Sequence, residues 1–500
     1  MIETSVDIAV LGSGFGGSLM ALILQRIGRS VVLVDRDTHP RFAIGESSTP
    51  IADYILGDLA DRYDLPRLKP LAKYGSWRST YPDIGCGLKR GFSYFRHESG
   101  RPFESDRDHS NELLVAASNE NDFADTHWLR SDVDAFLADE ARSAGIEVLD
   151  NTHLAEITHS NGWKLSGHRL DEPVVILARF VVDATGSGGL ITRVLGIEDD
   201  SLQTNSRAVF GHFSGVDKWD DILAESECDR QEHPFPCDAA AIHHILDDAW
   251  MWQLRFDNGI TSAGFVFDGT HRPWNESISA VYEWKQELAK YPSIARQFRH
   301  AELVQPDGGL RSTGRMQRCS RQMAGRDWGL LPNTAGFVDP LHSTGIAHTL
   351  SGIERIASII ERHWSRPDLE SQLQQYAESL RNEIYWVDCL VEGCYASRQN
   401  FRAFAAWSML YFAAATTCEH RRAESGSSAA PWSFLCADDD RLTAAAFRLR
   451  SELDQALTGS PALVANFEKQ VRCAIEPFNL ARLCDPNARN MYRSTASPAR

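Results

Sequence analysis

The segment Gly12-Ser-Gly14-Phe-Gly-Gly17 lies between an apolar run, Asp7-Ile-Ala-Val-Leu11, and a helical pattern, SLMALILQRIG. A further apolar run, Ser30-Val-Val-Leu-Val34, follows the helix. Strand, glycine turn, helix and strand in that order make a βαβ unit. Glycine permits the tight turn and lets backbone N–H groups approach a pyrophosphate at the positive end of the helix. Asp35 comes 23 residues after Gly12, at the end of the second strand, where such units place a carboxylate for the ribose hydroxyls. A dinucleotide site on a parallel sheet is therefore expected, with Gly12, Gly14, Gly17 and Asp35 as its first binding residues.

The fingerprint alone serves FAD or NAD. Val181-Val-Asp183-Ala-Thr185-Gly186 supplies a strand ending in DATG, a pattern that resembles FAD-dependent oxidases and hydroxylases. FAD is the favoured cofactor, held in addition by Asp183 and Gly186. Gly186-Ser-Gly188-Gly189 has the wrong spacing for a second G-x-G-x-x-G, so no nicotinamide site accompanies the flavin and reducing equivalents come from outside.

The chain of 500 residues suits one large enzyme core with an appended subdomain. A second helix-to-strand passage runs from Arg130 to Leu149, and strand material recurs at 174–182, 206–214 and 250–268, around a polar loop at 217–240. From about 370 the pattern becomes helical, interrupted at Ser425-Gly-Ser-Ser428, and the tail after 493 is expected to be frayed. The expected fold is α/β: a doubly wound FAD-binding domain with an inserted substrate-side β-sheet, and a C-terminal helical subdomain. The FAD module spans 1–365, its substrate-side sheet drawing on about 70–110 and 205–320, and the helical subdomain spans 366–500.

With 51 basic against 68 acidic residues, a net charge of −17 disfavours nucleic acid and anionic lipid surfaces as partners. Phe404–Ala415, the most apolar long stretch, is well short of the ~20 residues of a membrane span and reads as a buried helix. The ten cysteines contain no C-x-x-C or zinc-type Cys/His spacing, so no metal site is indicated. Glu3 and Asp7 stand where a signal peptide carries basic residues, and a chain of this size does not need disulfide staples, which points to a reduced, cytoplasmic protein.

Four more segments carry a resemblance: Ile44-Gly-Glu46-Ser47-Ser-Thr-Pro50, Lys89 in GLKRGFSYF, Trp250-Met-Trp252-Gln-Leu-Arg255, and Gly336-Phe-Val-Asp339-Pro-Leu-His342-Ser-Thr344-Gly345-Ile346. Together they resemble the flavin-dependent halogenases of the tryptophan halogenase superfamily, most closely the free-standing phenol halogenases, over residues 5–360. The resemblance implies an enzyme of antibiotic or other secondary metabolism in which reduced FAD and oxygen convert halide to hypohalous acid, while a lysine holds the oxidant beside the substrate. Lys89 takes that lysine's place, since an ammonium polarises hypochlorous acid and a free amine becomes a chloramine, both helped by partial desolvation. It further implies that Arg41, Glu46, Ser47, Arg130, Asp339, Gly345 and Ile346 contact FAD, and that Thr344 and Gly345 bind halide at a helix N-terminus.

Two departures stand out. His342 occupies a place held by glutamate in tryptophan halogenases and by phenylalanine in many phenol and pyrrole halogenases, and Leu254-Arg255 replaces the Ile-Pro of the W-x-W-x-I-P signature that suppresses monooxygenation. His342 and Ser408 are the candidates for base or substrate contact. A histidine buried as a structural residue, and a serine bonded back to its own helix, are the competing readings. The resemblance implies a small phenolic substrate, with a carrier-bound one still open, and a separate NAD(P)H-dependent flavin reductase. The alternatives are a flavin-dependent aromatic monooxygenase or another oxidoreductase, such as a dehydrogenase, of the same fold, and a noncatalytic flavin-binding protein.

Overall fold

The computed structural model describes residues 2–160, 162–226, 228–425 and 433–495. Its nucleotide sheet has the order Ala324–Gly325, Trp328–Leu330, Glu172–Asp183, Ile2–Leu11, Val31–Val34, Glu147–Leu149. The three central pairings and that of Val32–Val34 with Glu147–Leu149 are parallel. Ile8–Leu11 and Val31–Val34 are buried throughout, as a parallel sheet covered on both faces requires. The first strand begins at Ile2 rather than Asp7, because Ile2–Val6 continue the ladder against Val174–Ala178. The hairpin Thr152–His159 and Trp163–Arg169 extends this end of the sheet.

The second sheet runs Glu302–Gln305, Ser206–Ser214, Thr261–Asp268, Ala249–Arg255, Ala241–Ile245, Gly91–Arg96, Glu112–Ala116, Met491–Tyr492. The stretch 250–268 is thus a hairpin, and the loop at 217–240 contains the short helix Trp219–Glu225. Residues 69–80, within the region expected to supply substrate-side sheet, form helical turns. Cys86–Lys89 pairs with Asp125–Trp128 as a separate ribbon instead of joining the large sheet.

Four long helices, Leu369–Ser397, Phe401–Ser425, Asp440–Thr458 and Pro461–Ile475, make up most of the C-terminal third. They share one apolar core with the nucleotide sheet, and Met491–Tyr492 pairs with Leu114–Val115 of the second sheet. The described residues after 366 are therefore packed against the module on two sides. Thr495 donates to the Ala116 carbonyl, which ties the chain down beyond 493. Residues 496–500 of the tail, and 426–428 of the serine-glycine break, lie outside the described residues.

Candidate active site

The glycine turn and the DATG turn leave neighbouring parallel strands at the same end, Leu11 beside Asp183. They touch so closely that a Cβ on Gly12, whose φ is +97°, would stand 2.6 Å from the Ala184 carbonyl oxygen. A Cβ on Gly17 would collide with the Gly12 carbonyl. Gly14 differs: a Cβ there would meet nothing nearer than 3.5 Å, leaving its open face toward a cleft of about 490 Å³. The cleft is lined by Gly12, Gly14, Asp35, Arg41, Arg130 and Gly186 among others.

Asp35 is fully engaged before any ribose arrives. It accepts from Ser13 N–H at 2.6 Å, Ser13 Oγ at 2.8 Å and both arms of Arg41 at 2.6 and 2.8 Å. The Arg41 guanidinium and these backbone donors outweigh burial and hold its carboxyl well below the usual range. Arg130 clamps Asp134 at 2.9 and 2.8 Å, and Asp134 accepts the N–H of Phe15 at the start of the first helix. Sequence reasoning missed Asp134, since its carboxylate acts across 119 residues. Asp183 spends its oxygens on Thr185 and Ile191 within its own turn. Glu46 is buried against His212 Nε2 at 2.9 Å, whereas the buried Ser47 hydroxyl has no hydrogen-bond partner among the described residues.

The segment from Ile44 to Pro50 connects the cleft to Lys89. Ile44 lines the cleft, and four residues later the Ser48 carbonyl accepts a hydrogen bond from Lys89 Nζ. Lys89 is 0% exposed, and its Nζ lies 4.1 Å from the centre of the Phe92 ring. Burial pulls its pKa from 10.5 down to about 8, against the opposing pull of Asp125, Asp53 and Glu419. Asp53 accepts from Lys73 at 3.1 Å and from the Ser48 hydroxyl at 3.2 Å. Burial raises the pKa of Asp53, Asp125 and Glu419. This carboxyl cluster was invisible in the sequence because a helix, a strand and a C-terminal helix each contribute one member.

Beyond Phe92 lies an aromatic wall. Phe92 packs edge-on against Tyr411 and Phe412, and Tyr94 against Phe404. His342 stacks on Tyr411 with ring centres 4.2 Å apart and planes 5° from parallel. Burial lowers the His342 pKa to about 3, so the ring is neutral at physiological pH. Its Nε2 lies 3.5 Å from Cys394 Sγ, and its buried Nδ1 has no hydrogen-bond partner among the described residues. Ser408 donates to the Phe404 carbonyl at 2.8 Å, the back-bonded arrangement, while its Oγ lies 3.7 Å from Cys394 Sγ.

Asp339 opens the turn before the helix Gly345–His363. Its carboxylate accepts from Ser206 Oγ, Tyr395 OH and Leu341 N–H at 2.6, 2.9 and 3.1 Å, and burial lifts its pKa to about 6. The same Tyr395 hydroxyl accepts from Trp250 Nε1 at 2.9 Å, which links the tryptophan strand to the turn. Thr344 and Gly345 border a cavity of about 30 Å³ at the helix N-terminus. Ile346 is buried in the core. Trp252 packs against Gly264, which has no room for a Cβ, and Arg255 anchors Asp238 and the carbonyls of Val216 and Asp217.

The family model described as tryptophan halogenase matches residues 124–404, more than half of the chain. The chain belongs to the tryptophan halogenase family. It is 27% identical over 423 residues to monodechloroaminopyrrolnitrin halogenase PrnC of Pseudomonas fluorescens, covering 81% of this chain and 70% of that one. It is likewise 27% identical to the tetracycline 7-halogenase of Kitasatospora aureofaciens over 417 residues, 81% and 72% of the two chains. The structure of the halogenase PltM in complex with phloroglucinol and FAD superposes with a TM-score of 0.85 at 24% identity, covering 98% of this chain and 100% of PltM.

This chain is thus a flavin-dependent halogenase, an enzyme whose cofactor is FAD. The cleft fits that group: it has an unobstructed glycine face at a helix N-terminus and arginines 41 and 130 on its rim. Among the described residues, no helix is long and apolar enough to cross a membrane.

Proposed function

We propose that the enzyme halogenates a small phenol, with Lys89 holding hypohalous acid against the substrate ring. Bound FAD, reduced by a separate NAD(P)H-dependent reductase and oxidised by oxygen, supplies the oxidising power that converts halide to an electrophile. Gly14 and the first turn of the helix after it receive the pyrophosphate. Thr344 and Gly345, at the N-terminus of the helix and bordering the small cavity, present backbone N–H groups to the halide. Asp35 takes the ribose hydroxyls once the Arg41 fork swings aside.

One observation carries this reading: Lys89 is a fully desolvated lysine bonded to a carbonyl instead of a carboxylate. Its N–H groups donate to the oxidant and polarise it, and their burial beside the Phe92 ring strengthens that interaction. A phenol suits the wall beyond, because Tyr94 OH and His342 Nδ1 are buried there without partners among the described residues and a substrate hydroxyl satisfies such groups. PltM, similar in fold over its whole length, was crystallised with the phenol phloroglucinol.

The test is the purified protein with FAD, a flavin reductase, NADH, chloride or bromide and a panel of phenols, indoles and pyrroles, read by mass spectrometry. Halogenated phenols as the main products support the reading. Hydroxylated products without halogen would favour the monooxygenase alternative, to which the absence of Ile-Pro after Trp252 points.

A further inference from the structure

A second cluster of buried polar groups lies at the opposite end of the Gly91–Arg96 strand from Lys89. Glu112 stands beside Phe95 there, at the start of its own strand. Its Oε1 accepts from Ser105 Oγ and lies 2.5 Å from His109 Nδ1. Its Oε2 lies 3.3 Å from His233 Nε2. Neither of these last two atoms makes a hydrogen bond among the described residues, and both are shut off from solvent.

The two atoms face one another at 3.3 Å, close enough to pair when His233 is protonated, and with the imidazole neutral and its Nε2 unprotonated they are arranged as ligands of a common ion. Donors held ~2.0–2.1 Å from zinc at tetrahedral angles stand ~3.3 Å from one another. One donor atom each from His109, Glu112 and His233 lies within 4.8 Å of the others. The outer nitrogens are also held in the manner of metal-bound histidines: His109 Nε2 is 3.3 Å from Glu232 Oε2, and His233 Nδ1 is 3.4 Å from Cys237 Sγ. Phe95, Phe103, Trp219 and Phe235 form the neighbouring apolar cluster, where a carboxylate is costly without positive charge beside it.

We propose that His109, Glu112 and His233 bind one divalent transition-metal ion of the zinc class, which staples three remote segments of the chain. Two of the segments carry the ligands. The third is the C-terminal strand: Arg489 pairs with Glu232 and donates to the Arg107 carbonyl, and Asn490 donates to the His109 carbonyl at 2.9 Å. The ion is structural, since it sits at the far end of the sheet from the lysine.

The full-length protein decides the matter in a Cys473→Ser background, which removes the exposed thiol. After chelator dialysis it is titrated with zinc chloride against a chromophoric chelator, the metal is counted by mass spectrometry, and the melting temperature is followed. About one zinc per chain and a rise in melting temperature are expected, with at least a ~tenfold loss of affinity in His233→Gln and in Glu112→Gln. If Glu112→Gln fails to fold, His233→Gln in its loop carries the test. Less than about a tenth of an equivalent bound, or zinc retained with unchanged affinity in His233→Gln, would overturn the proposal.

Discussion

Lys89 and Asp125 are cross-strand partners on the two-stranded ribbon, and both are buried. Burial of the lysine drives its pKa down, and the carboxyl opposite limits the fall. The result is an amine that titrates near pH 8 in a water-poor chamber, available as a hydrogen-bond donor below that pH and as a nucleophile above it.

Asp125→Asn removes one of the groups that hold the Lys89 pKa up. The limb of the pH–rate profile near pH 8 moves to lower pH by about one unit. If that limb is the basic one, the ammonium is the working form; if acidic, the free amine. A profile unmoved by the substitution would separate Lys89 from the rate-determining titration.

Lys89→Met has the opposite sign for stability. The folded lysine titrates near 8 and the unfolded one near 10.5, so the folded state pays its full penalty below pH 8 and recovers it as pH rises from 8 to 10.5. At ~1.4 kcal/mol per pK unit, and less the contacts to Ser48 and Phe92, Lys89→Met is stabilised by about 1–3 kcal/mol at pH 7. Denaturant melts at pH 7 and pH 10 check this: the gap narrows at the higher pH. A variant less stable than wild type at pH 7 contradicts the account.

Gly14→Val and Gly12→Ala fail for different reasons. A Cβ at 14 makes only ordinary contacts with Asp134 and Arg130, and the valine branches fill the face left open for pyrophosphate. That variant folds, with an unchanged circular dichroism spectrum, and loses flavin binding in a fluorescence titration. Alanine at 12 meets the Ala184 carbonyl at positive φ, and lowers stability by roughly 1–3 kcal/mol. Wild-type flavin affinity in Gly14→Val would mean that the pyrophosphate lies elsewhere.

His342→Asn and Ser408→Ala separate proton transfer from packing. A histidine with a pKa near 3 does not change charge between pH 6 and 9, so His342→Asn alters rate or product ratio without moving a limb of the profile. Ser408, bonded to its own helix, is worth about 1 kcal/mol of stability and less than about a twofold change in rate. Loss of a limb in His342→Asn would make it the base.

Local signals were legible. The glycine turn, the DATG turn and the helix after Thr344 each occupy a few consecutive residues with a pattern that local backbone geometry favours. What depended on distant partners was not. Asp125 reads as an ordinary strand end until it is paired with Lys89, and Asp35 gave no hint that Arg41 already fills it. Residues 69–80 carried no periodicity strong enough to separate helix from sheet. A search for zinc ligands by cysteine spacing passes over His109, Glu112 and His233, which only the folded sheet and its loops bring together.

The central claim is that oxidant capture by Lys89 is separate from flavin chemistry. Lys89→Ala, supplied with reduced FAD, oxygen, bromide and a phenol that the wild type halogenates, is followed for flavin reoxidation and brominated product together. The account predicts wild-type FAD binding and reoxidation with product below about a hundredth of wild type, a barrier change of more than ~2.7 kcal/mol. Product above about a tenth of wild type, a change under ~1.4 kcal/mol, would contradict it.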